Sequence, residues 1–211
     1  MPCGLKHIGI PLSTVRQPEM ALWQSMKRSV LVAVLVTVAP AALANAIVDP
    51  PTCQNNLGEM VSFQNRSSEA GRVAAGMANR TPDGTPFVLR MNYQSASPAF
   101  QRFVDRHECA HHQTGDVDRP HPPRNSPEHL MNESIADCVA ILRLREEWGD
   151  DQSEYPEVLG GLRTAMAAVG FPDISTESRI QNIENCYTNY GSAEDFIGGV
   201  LAQRGLTRSG R

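Results

Sequence analysis

A chain of 211 residues with 41% hydrophobic and 20% charged positions has the composition of a folded protein rather than a disordered tail. Its net charge of −4, from 19 basic and 23 acidic side chains, leaves no basic stripe of the kind that holds nucleic acid, so no nucleic-acid partner is expected.

In chain order the first recognisable element is a leader. Met26-Lys27-Arg28 supplies a basic start, residues 30–39 an apolar run, and Ala42-Leu43-Ala44 or Ala44-Asn45-Ala46 a small-residue cleavage site. Residues 1–46 therefore read as a secretory signal peptide, with residues 1 to about 25 either an extension from a misassigned start or a long amino-terminal part of the leader. The apolar run is short and broken by Pro40, and no later segment approaches a span, so stable membrane insertion of the mature chain is not expected. Cleavage before Ile47 leaves 165 of the 211 residues, enough for one domain, and places that domain outside the cytoplasm, secreted or periplasmic. Loss of Lys6, Lys27, Arg16, Arg28 and Glu19 takes the net charge from −4 to −7.

Residues 47–70, rich in Asn, Ser and Pro, predict an irregular segment tied down at Cys53. Residues 72–79 and 86–93 flank Thr81-Pro82-Asp83-Gly84 and predict a β-hairpin; its second strand is either an exposed edge able to pair with an extended peptide or an ordinary covered strand. Ser97-Pro98 opens a helix with Phe100, Phe103, Val104, His107 and His111 at helical spacing. The proline-rich loop 115–125 follows, and Ser126-Pro127 opens a second helix to about residue 147 that carries Glu133 and Asp137 one turn apart. Helical character returns over 156–168 and 175–190, and Ser192-Ala193-Glu194-Asp195 resembles a capping box for a last helix through residue 206. The expected fold is a mainly helical α+β domain: a short antiparallel hairpin, an active-site helix pair and C-terminal helices.

The chemistry concentrates in His107-Glu108-Cys109-Ala110-His111. Residues four apart on a helix lie about 40° round the axis and about 6 Å along it, so His107 and His111 can aim two imidazoles at one ion. Glu108, about 100° from His107, is placed for a water at the metal rather than for the metal itself. Glu133 is the natural third ligand, and three nitrogen and oxygen ligands leave a catalytic zinc one open corner. Asp137 can accept the second N–H of a ligating imidazole. The plainer reading of Glu133 and Asp137 is a solvated face or ion pairs with Arg102, Arg106 or Arg143. His112 and His121 are candidate extra ligands or substrate contacts, although histidines beside a motif more often serve packing or surface.

His107-Glu108-x-x-His111 with Asn132-Glu133-Ser134-Ile135-Ala136-Asp137 on the next helix resembles the active-site pair of the gluzincin metallopeptidases, the thermolysin-like clan, and the wider string resembles small secreted bacterial zinc metallopeptidases. The resemblance spans roughly residues 86–145. It implies one zinc on His107, His111 and Glu133, acid–base work at Glu108 and a supporting role for Asp137. One departure stands out: larger members carry a downstream histidine and tyrosine for the oxyanion, whereas every histidine here lies at or before His129. Tyr155, Tyr187, Tyr190, Arg163 and Arg179 are the candidate donors instead.

Cys53, Cys109, Cys138 and Cys186 form an even set for an oxidising compartment, and two disulfides are expected among three possible pairings. Cys109 with Cys138 is favoured because each lies inside one motif helix, leaving Cys53 with Cys186. Cys109 sits about 200° from His107, on the wrong face for a zinc ligand; free buried thiols are the remaining alternative. The functional expectation is an exported zinc endopeptidase acting on a peptide or protein, cell-wall peptides included. Two alternatives stand beside it: an exported zinc-binding module without turnover, and a disulfide-stapled interaction domain in which the motif is incidental.

Overall fold

The computed structural model describes residues 45–67 and 73–208; nearly all of the expected leader, residues 1–44, lies outside the described residues. The architecture is α+β and mainly helical: strands β1 (Ser62–Arg66), β2 (Ala75–Arg80) and β3 (Pro86–Met91), then helices α1 (Pro98–Gln113), α2 (Pro127–Trp148), α3 (Tyr155–Ala168), α4 (Asp173–Asn189) and α5 (Ala193–Gln203). No described helix is long and apolar enough to cross a membrane.

The hairpin forms where expected. β2 and β3 pair antiparallel from Ala75 opposite Met91 to Arg80 opposite Pro86. Their turn closes through Thr81 and Thr85, with Gly84 supplying the positive φ of 88° that a side chain would resist. Two expectations need correction. The segment 47–70 is not wholly irregular, because β1 pairs in parallel with β3, Ser62 opposite Phe87 through Arg66 opposite Met91. Its sequence, Ser-Phe-Gln-Asn-Arg, has one apolar side chain and so carries no alternation to announce a strand. In consequence β3 lies between β1 and β2 in the sheet and has no free edge. The edge open to a partner on the hairpin side is β2.

Ser97, Ser126 and Ser192 cap α1, α2 and α5, each accepting the N–H of the residue three places on. Proline follows two of these caps, where its missing N–H costs nothing. α1 is central. Its Phe100, Phe103 and Val104 are buried in the main cluster with Ile141 and Leu144 of α2 and Leu162 and Met166 of α3, each fully buried side chain contributing about 1.5–3 kcal/mol. Ala110 meets Ala136, Val139 and the α5 residues Ile197 and Leu201 in a second cluster. Beneath the helix, Asp105 takes a bidentate hydrogen bond pair from buried Arg90 (3.0 and 2.9 Å) and another from Tyr93 (2.9 Å), which locks α1 to the sheet.

The disulfides join Cys53 to Cys109 and Cys138 to Cys186, with Cα separations of 6.0 and 5.3 Å. The favoured pairing of Cys109 with Cys138 is therefore wrong. The angle that kept Cys109 off the metal also turns it away from α2: it packs with Cys53, Val61 and Val88 on the sheet side of α1. Cys138 in turn faces α4, where Cys186 is buried.

Candidate metal centre

His107 and His111 occupy the last two turns of α1, and Glu133 stands on α2 where the two helices pack together. His107 Nε2 lies 3.2 Å from His111 Nε2 and 3.4 Å from Glu133 Oε2; His111 Nε2 is 3.6 Å from Glu133 Oε1. Two ligand atoms each about 2.0–2.1 Å from a tetrahedral zinc stand about 3.3–3.4 Å apart, so this spacing fits one such ion.

The tautomers point the same way. His107 Nδ1 is 2.9 Å from Asp137 Oδ1, and His111 Nδ1 is 3.0 Å from Asp116 Oδ2. An ionised carboxylate only accepts, so each neutral ring carries its proton on Nδ1 and turns a bare Nε2 lone pair toward the other. Two imidazole nitrogens and a carboxylate converging at these distances need a positive charge among them, which a proton on His107 Nε2 supplies when no metal is bound and a metal ion would supply in its place. Burial alone would depress His107, yet hydrogen bonds and charge from Asp137 and Glu133 outweigh it and push its pKa up to about 10. Burial opposes ionisation of Glu133 too, but the two imidazoles and Arg179 hold its carboxyl well below the usual range. The pocket is built for positive charge.

Asp137 is fully buried and does what its spacing suggested for His107. It is also held by Arg179 of α4, with Nε donating to Oδ2 at 2.8 Å and Nη2 to Oδ1 at 2.6 Å. Burial raises the Asp137 pKa, but Arg179 and then His107 outweigh that and keep it low. Arg102 and Arg106 are committed to Glu154 and Glu147, and Arg143 to Glu194 and Glu146, so the two carboxylates do not pair with the arginines expected; their ion-pair partner is Arg179, 2.6 Å from Asp137 and 3.8 Å from Glu133.

Glu108 points into the same cleft, its Oε2 accepting the Ala78 N–H at 2.7 Å. Because Ala78 gives its N–H to Glu108 rather than to β3, the alternation of an antiparallel ladder turns the main-chain groups of Gly76 and Ala78 outward along the cleft. Gly76 is required here, since a β-carbon would come within 2.7 Å of the Glu108 carboxyl carbon. Two hollows meet at His107, Glu108 and Glu133. One, of about 660 Å³, is lined by apolar Val104, Leu162, Met166 and Phe171 with Arg179 at its wall. The other, of about 280 Å³, has a mixed lining in which His121, His129 and Asp116 stand beside Met77 and Val117.

Of the candidate oxyanion donors, Arg179 alone among the described residues lines this cleft. Tyr155 stacks on Tyr187 at 4.3 Å, Tyr190 packs edge-on against Phe196 at 5.1 Å, and Arg163 pairs with Glu177. His112 is buried with Nε2 3.0 Å from the Phe87 carbonyl, and so serves packing. His121 is exposed at the cleft margin.

Sequence reasoning missed Asp116, Gly76 and the position of His129. For Asp116 there was a faint signal: Gly115, at φ 74°, follows the helix and lets the chain fold back on His111. His129, one turn before Glu133, has Nε2 4.0 Å from Glu133 Oε1, while its buried Nδ1 finds no hydrogen-bond partner among the described residues. A buried N–H without an acceptor costs more than a buried lone pair, so the ring's proton belongs on Nε2, facing the cleft.

Compared with protein-family models, with curated proteins and with solved structures, the chain matches none.

Proposed function

We propose that this protein is an exported zinc endopeptidase of gluzincin type, secreted or periplasmic, with the metal on His107, His111 and Glu133. The observation that carries the reading is the convergence of two Nε2 atoms and a carboxylate at 3.2, 3.4 and 3.6 Å, with the carboxylate of Glu108 lining the same cleft. The two disulfides support export to an oxidising compartment.

When bound, zinc supplies Lewis acidity to a substrate carbonyl and lowers the pKa of water toward about 7. Glu108, steadied by the Ala78 N–H, takes the proton of the attacking water and returns it to the departing amine. An extended peptide lies along β2, where the outward main-chain groups of Gly76 and the Ala78 carbonyl pair with it without reading its sequence, the Ala78 N–H being held by Glu108. The apolar hollow beside His107 takes a bulky side chain next to the scissile bond. Arg179 on that side and His129 Nε2–H on the other are the donors available to substrate oxygens. Peptides and unfolded proteins, including cell-wall peptides met after export, are the substrate class.

Zinc analysis and peptide cleavage by the oxidised chain and by Glu108→Gln test the reading together. The parent chain should carry one zinc and cleave a mixed peptide library, and Glu108→Gln should keep the zinc and lose at least about a hundredfold in rate. A variant that still cleaves removes Glu108 from the mechanism. A zinc-loaded parent that cleaves nothing favours a binding module.

A further inference from the structure

Asp116 has two side-chain partners besides His111: the Thr114 hydroxyl, which donates to Oδ2 at 3.1 Å, and Arg204 on the other oxygen. Arg204, at the C-cap of α5, sets Nη1 2.6 Å from Asp116 Oδ1, donates from the same nitrogen to the Thr114 carbonyl at 2.6 Å and from Nη2 to Asn132 Oδ1 at 2.8 Å. The pair is nearly out of solvent, with side-chain exposures of 10% for Arg204 and 7% for Asp116. Behind it the C-terminal turn closes tightly on the loop, for a β-carbon on Gly115 would stand 2.7 Å from Leu206 Cδ1. A carboxylate buried this deeply stays ionised only with compensation, and it must be ionised and held in place to accept the His111 Nδ1–H.

We infer that Arg204 is a positioning residue for the metal site: through Asp116 it fixes the orientation of His111, so that docking of the C-terminal turn and retention of zinc are coupled. The inference rests on the proposed zinc site but not on peptidase turnover. The ion pair spans 88 residues of sequence (204 − 116) and joins the C-cap of α5 to the loop that follows the metal-binding helix. Linkage makes it reciprocal: zinc should hold the C-terminal turn in place as firmly as that turn holds the zinc site.

The test is zinc affinity of the full oxidised chain by chelator competition, for the parent, Arg204→Met, Arg204→Lys, Asp116→Asn and the Arg204→Met/Asp116→Asn double variant. Each loss of the relay should weaken zinc about 10- to 100-fold, with Arg204→Lys recovering part of the affinity. The double variant should bind no more weakly than Asp116→Asn alone, because Arg204 acts through that carboxylate. In the parent, zinc should slow tryptic cleavage after Arg204. Additive losses in the double variant, parent-like affinity in Arg204→Met, or cleavage after Arg204 indifferent to zinc would overturn the coupling. A folded parent that takes up no zinc overturns the metal site itself, and is told apart from those results by the parent measurement alone.

Discussion

The two imidazoles of the site are held by the same chemistry in two different settings. His107 leans on Asp137 and Arg179, an assembly built from two long helices, with Asp137 wholly out of solvent. His111 leans on Asp116 and Arg204, the first in the loop after α1 and the second at the C-cap of α5. In both, a carboxylate takes the Nδ1–H and an arginine compensates the carboxylate, which leaves Nε2 free for a metal. The difference is in what supports them. One relay is clamped between packed helices and a disulfide, and the other depends on a turn near the end of the described chain.

Asp137→Asn should break the stronger side most severely. It removes the nearer of the two carboxylates that face Arg179 and leaves the guanidinium only Glu133 at 3.8 Å, so stability should fall by about 3 kcal/mol in a denaturant titration and zinc affinity by about a hundredfold. Replacing both Cys138 and Cys186 by alanine should come next. That bridge ties α2 to α4, the same helices that carry Asp137 and Arg179, and its loss should cost about 2–4 kcal/mol by chemical denaturation under oxidising conditions. Asn132→Ala, on the other side, should have the smallest effect. It removes one of the three contacts of Arg204, and zinc affinity measured by chelator competition should drop by less than about tenfold, with stability lowered by about 1 kcal/mol. Should Asn132→Ala match Asp137→Asn in its effect on zinc, the two relays are equal and the contrast fails.

The contrast also explains what could be read from the chain alone. Asp137 was legible because it lies one helical turn from Glu133, and helical spacing is written in the sequence. The caps Ser97-Pro98 and Ser126-Pro127 fixed the start of both site helices for the same local reason. Arg204 carries no such mark, since nothing local says that this arginine meets a loop residue 88 positions earlier (204 − 116). Strand β1 and the disulfide pairing escaped in the same way. Each depends on which face of α1 meets the sheet and which meets α2, and only the packed helix decides that. Cys109, about 200° round α1 from His107, lies on the face that meets the sheet, where Cys53 is its partner, and not on the face that packs on α2.

The measurement closest to the central claim is X-ray absorption at the zinc edge on the oxidised chain loaded with one equivalent of zinc. The account predicts four nitrogen or oxygen neighbours at about 2.0–2.1 Å, two of them with the outer-shell pattern of imidazole, and loss of bound zinc in Glu133→Ala. Sulfur neighbours near 2.3 Å, or a Glu133→Ala spectrum identical to the parent, would contradict it.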